Sequence, residues 1–487
     1  MKRTITLLIL AAMLLQCAAC GSGETPSTGD TTSANGTTTA ETTAETDPYD
    51  YPDLDCGGET FTIMNIEPMW NMNTELDFDA QNGETLDDAI YTRNRTLEDK
   101  FNFKLEEVQL ATAEYFKLAD HVRTDVMSGD AQYDACYTIG STVGSLITEG
   151  SVMNLLDIDT LQLDQPWWNQ ITNEQSTIGG DYLYFTQSNL SLTAFDLTWC
   201  LFFNESMMEE KSLEAPYDLV REGNWTIDEL HKLCKAGANL NGDESFTFAA
   251  DGKSVYGYST YNNGALASII GLGITFTGKD ASDMPTFDLE TDRFYTAIEK
   301  LATLCASEGD FYQGVTGSNP DRYTTVFANR RALFVGAEVK DALVFRDFED
   351  TFGIVPNPKL DEAQANYYSW TNYLAPVLVV PVTTKDASRT GALLDVMSYY
   401  SYRDVLPVYY DVTLAQKGLR NEDSIEMMDI IRDSLCFDPS MAYGWTTKLA
   451  ESIRDAAFKG DSNVASLIAS NKTTVEESIT KMLDELE

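Results

Sequence analysis

Four aromatic residues sit in polar stretches where their rings could grip a sugar. Trp70 lies in IEPMWNMN just after a first apolar run, and Trp370 lies in YYSWTNY just before a later one. Trp445 stands in MAYGWTT at the start of a helical segment, and Tyr137 is in CYTIG at the end of a strand-like run. Sugar rings offer C–H faces that pack on aromatic faces, and hydroxyls that need amides and carboxylates as partners. Core packing accounts for any one of these rings alone. Together, with Asn, Ser and Glu beside them, they point to a binding cleft.

Groups that make or break bonds are scarce. The chain has only two histidines, His121 and His231, both in polar helical settings that read as surface positions. No HExxH, GxSxG, GxxxxGK[ST] or GxGxxG occurs in its required context. A catalytic carboxylate pair stays open, because 77 acidic residues supply such pairs by chance, so a secreted acidic glycoside hydrolase remains an alternative. Asn239, Asn241 and Asp243 resemble the front half of a calcium loop. The sixth position, however, is Glu244 rather than Gly and the twelfth is Ala250, so an Asn/Gly turn is the better reading and no metal or cofactor is expected. Six cysteines (56, 136, 200, 234, 305 and 436) are scattered without CxxC or Cys/His clusters, which favours buried free thiols over disulfides.

Length and charge bound the rest. A chain of 487 residues with 43% hydrophobic residues is globular and long enough for more than one domain. Its 33 basic against 77 acidic residues, a net charge of −44, repel phosphate, which excludes nucleic acid and anionic lipid head groups as partners. Lys2 and Arg3, an apolar stretch and small residues before Cys20 read as a bacterial lipoprotein signal over residues 1–20, with Cys20 as the lipidated residue. Cys17 departs from the usual Leu three residues before it. Residues 21–54 are mostly a Ser/Thr/Gly-rich tether that cannot repay the entropy of ordering. No later segment reaches the ~20 apolar residues of a spanning helix.

The elements that must position the rings follow from periodicity. GGETFTIMNI reads as a first strand, then Thr85–Lys100 as a helix with Thr85 as its cap, FKLEEVQL as a strand, Glu114–Met127 as a helix and DACYTIG as a strand. This β-α-β-α-β order favours a parallel α/β layer, in which ligands gather at the carboxyl ends of strands. DYLYFTQSN and LTAFDLTWCLFFNES read as two more strands. NWTIDELHKLCKAG is a well-marked helix: Thr226 caps it with Glu229, Trp225 and Leu230 staple it, and Gly237 ends it. Ala375–Val382 reads as a strand covered on both faces, Ala387–Tyr402 as a helix, and the end as helices at 425–435, 446–458 and 475–486, the last capped by Thr474.

These segments resemble the extracellular solute-binding proteins of ABC importers, the carbohydrate type that includes maltose-binding protein. The resemblance rests on LFFNESMMEE, YDLVREGNWTIDEL, FANRRALFVGAE and YYSWTNYLAPVLVVP. It also rests on ETLDDAIYTRNRTLEDKF, DQPWWNQ, FGIVPNPKLDEAQ and YYDVTLAQKGLRNEDSIEMMDII, which resemble a subset common in Gram-positive gut anaerobes. Asn329-Arg330 stands where the family commonly has Gly-Arg or Gly-Lys. The resemblance implies an α/β, two-lobed, type II periplasmic-binding-protein-like fold with a hinge, lobe 1 being 55–160 and 373–418, and lobe 2 being 161–372 and 419–487. It implies a monomeric, lipid-anchored receptor on the outer face of the membrane. Such a receptor captures a carbohydrate, most simply an oligosaccharide, and passes it to ABC permease subunits without catalysis. By position, Glu67, Trp70, Tyr137 and Ser141 would line the cleft from lobe 1, and Gln187, Asn189, Glu338 and Trp445 from lobe 2, with Trp370 near the hinge. A sensor or adhesin without a permease is a further alternative.

Overall fold

The computed structural model describes residues 49–50, 52–317, 319–345, 347–414, 419 and 422–486. The signal segment, Cys20 and the tether as far as residue 48 lie outside the described residues. Nine strands carry the architecture: β1 (Glu59–Ile66), β2 (Phe103–Leu110), β3 (Ala135–Ile139), β4 (Trp199–Asn204), β5 (Tyr256–Thr260), β6 (Phe311–Gln313), β7 (Ala332–Glu338), β8 (Phe352–Val355) and β9 (Pro376–Val379). They form one sheet of order β9-β3-β1-β2 and a second of order β8-β4-β7-β5-β6. Both belong to the compact unit Tyr51–Glu487.

In the first sheet β1 is parallel to β2 and β3, while β9 returns antiparallel to β3, with Pro376 opposite Ile139. Parallel neighbours need crossover connections, which are supplied by helices α1 (Thr85–Phe101) and α2 (Leu118–Ser128). The expected β-α-β-α-β start is therefore present, although the second helix opens with a 3₁₀ segment, Thr112–Lys117. In the second sheet β7 and β5, and β5 and β6, are parallel, and β4 runs antiparallel to both β7 and β8. Strand β4 buries all six of its residues, WCLFFN, as a central strand covered on both faces does.

Local signals held where they were strong. Helix α3 (Ile227–Gly237) begins at Thr226, whose side chain accepts from the Glu229 N–H. Trp225 is fully buried and donates its indole N–H to the Pro356 carbonyl at 2.9 Å. Gly237 has no left-handed backbone; its role is close approach, because a Cβ there would meet Leu333 Cδ2 at 2.6 Å.

Other expectations need correction. Thr85 is the first helical residue of α1, not its cap; Glu84 takes the N-cap without a side-chain bond, and Asp88 binds backward to the Asn82 and Gly83 N–H groups. Thr474 lies inside the last helix, α6 (Ala465–Leu486), which has Ile468, Val475, Ile479 and Met482 on its buried side. DYLYFTQSN forms no strand; it touches its neighbours through isolated bridges such as Thr186 with Leu378. Helix α4 (Ala387–Tyr400) does not stop near Tyr402 but continues through a π-turn, Ser401–Val405, into a helix at Leu406–Leu414. Another helix, α5 (Thr447–Phe458), starts within one residue of its expected position.

The six cysteines in the described residues are all free and buried. Asn239–Ser245 is a turn: Asp243 accepts from the Lys253 and Ser254 N–H groups and from the Ser254 hydroxyl, which leaves that carboxylate engaged. No helix among the described residues is long and apolar enough to cross a membrane.

Candidate functional site

The carboxyl end of the first sheet carries an aromatic shelf. After β1 the chain turns at Trp70 and Asn71, both left-handed with φ of 53° and 58°. For a bulky L-residue this backbone is strained and persists only where its surroundings impose it. Trp70 is 49% exposed, and its ring meets Tyr115 edge to face with centroids 5.1 Å apart. Tyr115 comes from the 3₁₀ segment after β2, and it in turn meets Phe116, which is 65% exposed, at 5.3 Å. The Tyr115 hydroxyl donates to the Leu374 carbonyl just before β9. Three rings from loops after two adjacent parallel strands are thus presented together at one edge.

The carboxyl end of the second sheet carries a polar constellation. Glu338 ends β7 and is paired in register with Trp199 at the start of β4. Its Oε1 accepts from Asn372 Nδ2 at 2.9 Å, its Oε2 accepts from Lys340, and its own N–H donates to Asp341 Oδ2 at 3.2 Å. Burial pushes the Glu338 carboxyl above the usual range, and Lys340 and Asn372 pull back toward the charged form. Burial would lower the Lys340 ammonium, but the Glu338 and Asp341 carboxylates hold it above its ordinary value. Beside this pair Tyr261 follows β5 and packs 5.4 Å from Trp199 and 5.0 Å from Tyr323. From α5, Arg454 donates to Asn263 Oδ1 at 3.0 Å and Glu451 accepts from the Tyr373 hydroxyl at 3.0 Å.

The two edges are tied together through the segment before β9: Tyr115 donates to the Leu374 carbonyl, and Asn372, two residues earlier, donates to Glu338. Burial raises the Tyr115 hydroxyl, with the Glu338 carboxylate as a smaller cause. Asn73 of the Trp70 loop donates from its backbone and its side chain to the buried Asp196, at 2.6 and 3.0 Å, in the segment that leads into β4. Exposed ring faces of this kind can stack on apolar C–H faces, while Glu338 and Asn372 are buried and bonded to one another. Among the described residues, no group of three His, Cys, Asp or Glu side chains is arranged to hold a metal.

The residues singled out from sequence are not all brought together. Trp70 stands at the edge of the first sheet and Glu338 at that of the second. Glu67 lies at the same end as Trp70, but its carboxylate accepts from the Thr112 N–H at 3.2 Å and ties the loop after β1 to that after β2. Ser141 begins just past β3 and its N–H donates to the Tyr373 carbonyl at 2.9 Å. Tyr137 is two residues short of the strand end, paired with Leu378 and 2% exposed, so it is a core residue. Trp370 is fully buried, stacked on Trp199 at 6.3 Å and 27°, in the short strand that pairs with Leu435 and Cys436. Trp445 stacks on Tyr443 at 4.7 Å and lines a different cavity, of about 190 Å³. Gln187 and Asn189 line yet another, of about 280 Å³. Tyr115, Tyr261, Lys340, Asn372 and Arg454 were not anticipated. Tyr115 and Tyr261 follow strand ends, the signal that singled out Trp70.

No family model matches the sequence, and no curated protein matches it. Solved structures do. The chain is similar to UspC of Mycobacterium tuberculosis at 16% identity, with a TM-score of 0.58, over 86% of this chain and 100% of that one. It is similar to the maltose-binding protein MalE of Listeria monocytogenes, solved with maltose, at 15% identity and a TM-score of 0.56 over 87% and 98%. A cyclic α-maltosyl-1,6-maltose-binding protein from Arthrobacter globiformis gives 14% identity and a TM-score of 0.57 over 87% and 99%. At these identities the likeness establishes architecture: the chain has the α/β, two-lobed, type II fold of the periplasmic-type solute-binding proteins.

Proposed function

We propose that this protein is the extracellular substrate-binding component of an ABC importer, which captures a neutral carbohydrate between two lobes and delivers it unaltered to a membrane permease. The observation that carries this reading is the half-exposed, left-handed Trp70 on its Tyr115–Phe116 shelf, which Tyr115 ties to the segment of Asn372 and so to Glu338. Ring faces on one side and hydrogen-bonding groups on the other suit a hydroxyl-rich molecule with apolar C–H faces. The acidic chain disfavours anionic ligands. The similar structures solved with maltose and with a cyclic maltosyl sugar add support at the level of the fold.

In this reading residues 55–160 and 373–418 form one lobe, and 161–372 with 419–487 the other, with residues 161–189 docked on the first through Asp395, which accepts from the indole N–H groups of both Trp167 and Trp168. Trp199 at the start of β4 and Trp370 in the connection that leads to β9, stacked on one another, form the hinge packing, and Ser141, Tyr261 and Arg454 complete the cleft. Closure follows from differential affinity: a ligand that touches both lobes stabilises the closed form. The protein acts as a monomer and carries no catalytic activity. Cys20 anchors it to the outer face of the membrane through lipid, with residues 21–54 as tether.

A thermal-shift screen of the purified chain against a glycan panel tests this, because a ligand selective for the folded state stabilises it by about 2.7 kcal/mol at a hundredfold excess over Kd and so raises the melting temperature. A panel of maltooligosaccharides, cellooligosaccharides and xylooligosaccharides that leaves the melting temperature unmoved overturns the reading. Recovery of a shortened glycan after incubation favours a hydrolase instead.

A further inference from the structure

We propose that the cavity beside Gln187 is a second ligand site, separate from the inter-lobe cleft, and that it takes one small uncharged polyol or monosaccharide. Its volume is about 280 Å³, just under the ~300–1,000 Å³ of ligand pockets in general, so a single ring fits and an oligosaccharide does not. The walls come from parts of the chain that lie apart in sequence: Trp167, the Gln187–Phe195 stretch, Leu406 just past the π-turn, and Arg432 to Leu435. None of the residues of the aromatic shelf or of the Glu338 constellation is among them.

Three features select the ligand. Gln187 is 3% exposed; its Oε1 accepts from the Thr172 hydroxyl at 3.5 Å, while its Nε2 has no partner. A buried amide donor without an acceptor is rare in native proteins and calls for a reason. A hydroxyl oxygen of a solute in the cavity supplies one. Second, the two charges on the wall cancel: Arg432 is paired with Asp433 at 2.8 Å, so neither an anion nor a cation is favoured. Third, Trp167 and Phe195 give apolar faces for C–H groups, and Trp167 is held in place by its indole N–H on Asp395 Oδ1 at 2.9 Å.

The location adds to the argument. Thr186, one residue before Gln187, bridges to Leu378 of β9 in the first sheet, and the same stretch runs on into β4 of the second. Leu435 pairs with Ser369 in the connection next to Trp370. Two of the segments that cross between the sheets thus line the cavity, and it does not depend on what the main cleft binds.

The test titrates D-glucose, D-xylose and glycerol into the full chain and into three variants, Trp70→Ala, Gln187→Leu and Ser191→Phe, reading melting temperature and tryptophan fluorescence. At least one probe is expected to shift the wild type and to shift Trp70→Ala equally. That shift weakens about tenfold in Gln187→Leu, as for one lost buried hydrogen bond, and disappears in Ser191→Phe, whose ring fills the cavity. The ligand-free melting curve of each variant reports whether it folds, and Ser191→Phe decides if Gln187→Leu does not. No shift from any probe overturns the proposal. So does a shift lost in Trp70→Ala and kept in Ser191→Phe, which puts the solute in the main cleft. Failure of the glycan screen leaves this outcome unaffected, since the probes and the variants differ.

Discussion

Trp70 and Tyr115 meet edge to face with their planes at 71°, although one follows β1 and the other follows β2. The contact exists because β1 and β2 are parallel neighbours over their whole length, Glu59 opposite Phe103 through Ile66 opposite Leu110, so both chains emerge at the same edge. Sheet register thus builds the shelf, and the left-handed turn at Trp70 and Asn71 aims it outward.

Replacing Trp70 separates binding from folding. Trp70→Ala removes one ring face and is expected to weaken glycan binding by about tenfold, since an aromatic contact is worth ~0.5–1.5 kcal/mol beyond the area it buries. Trp70→Gly weakens binding equally yet raises stability, because glycine relieves a left-handed conformation that costs a bulky residue about 1–2 kcal/mol. Titration calorimetry and thermal melts measure the two effects. A marked loss of melting temperature in Trp70→Gly shows that the ring is a packing anchor instead.

Glycan affinity should fall at mildly acidic pH. The Glu338 carboxyl is raised by burial, so on lowering the pH it takes up a proton earlier than a surface carboxylate, whose ordinary value is about 4.3. Protonation removes the partner of Lys340 and weakens the acceptor that Asn372 addresses. Affinity is therefore full above the raised value and lost as pH falls through it. In Glu338→Gln the affinity is lower throughout and flat over that window. A wild-type profile that bends no higher than a surface carboxylate does removes Glu338 from the site.

The hinge packing has its own test. Trp370 is fully buried against Trp199 and 5.9 Å from Tyr373, so Trp370→Ala is expected to cost ~3–5 kcal/mol, as large aromatic truncations in cores do. Trp370→Phe keeps most of the packing and loses only an indole N–H that has no partner in the fold. Denaturant melts distinguish the two variants. A mild effect of the alanine means that Trp370 faces the cleft more than the core.

What could be read in advance followed the range of the forces involved. The Trp225 helix was legible because cap, staple and stop lie within a few residues of one another and act locally. The match at Thr474 was equally local and misled, because in α6 the buried row Ile468, Val475, Ile479 and Met482 carries the helix past it. For the site, position relative to a strand end was informative for Trp70 and silent about Tyr137, whose direction depends on where β3 stops, two residues later. Tyr115 and Tyr261 obey the strand-end rule too, yet neither tyrosine contrasts with its neighbours as a lone tryptophan does. Gln187 and Asn189 lie on a crossing stretch whose surroundings, Leu406 and Arg432, come from more than 200 residues later, which no local pattern reports.

The thiols give a sharp chemical check. Cys56, Cys136, Cys200, Cys234, Cys305 and Cys436 are all buried and free, and burial raises their thiols above the ordinary range. A buried, protonated thiol is a poor nucleophile, because the thiolate is the reactive form. The chain lacking residues 1–20 should therefore resist a thiol reagent such as Ellman's while folded and release the equivalent of six thiols once denatured. Dithiothreitol should leave its melting temperature unchanged, since there is no cross-link to lose, whereas reduction of a native disulfide removes ~2–4 kcal/mol. Fewer than six thiols in denaturant, or a fall in melting temperature on reduction, would reveal a disulfide and require two of these cysteines to come together in the folded protein.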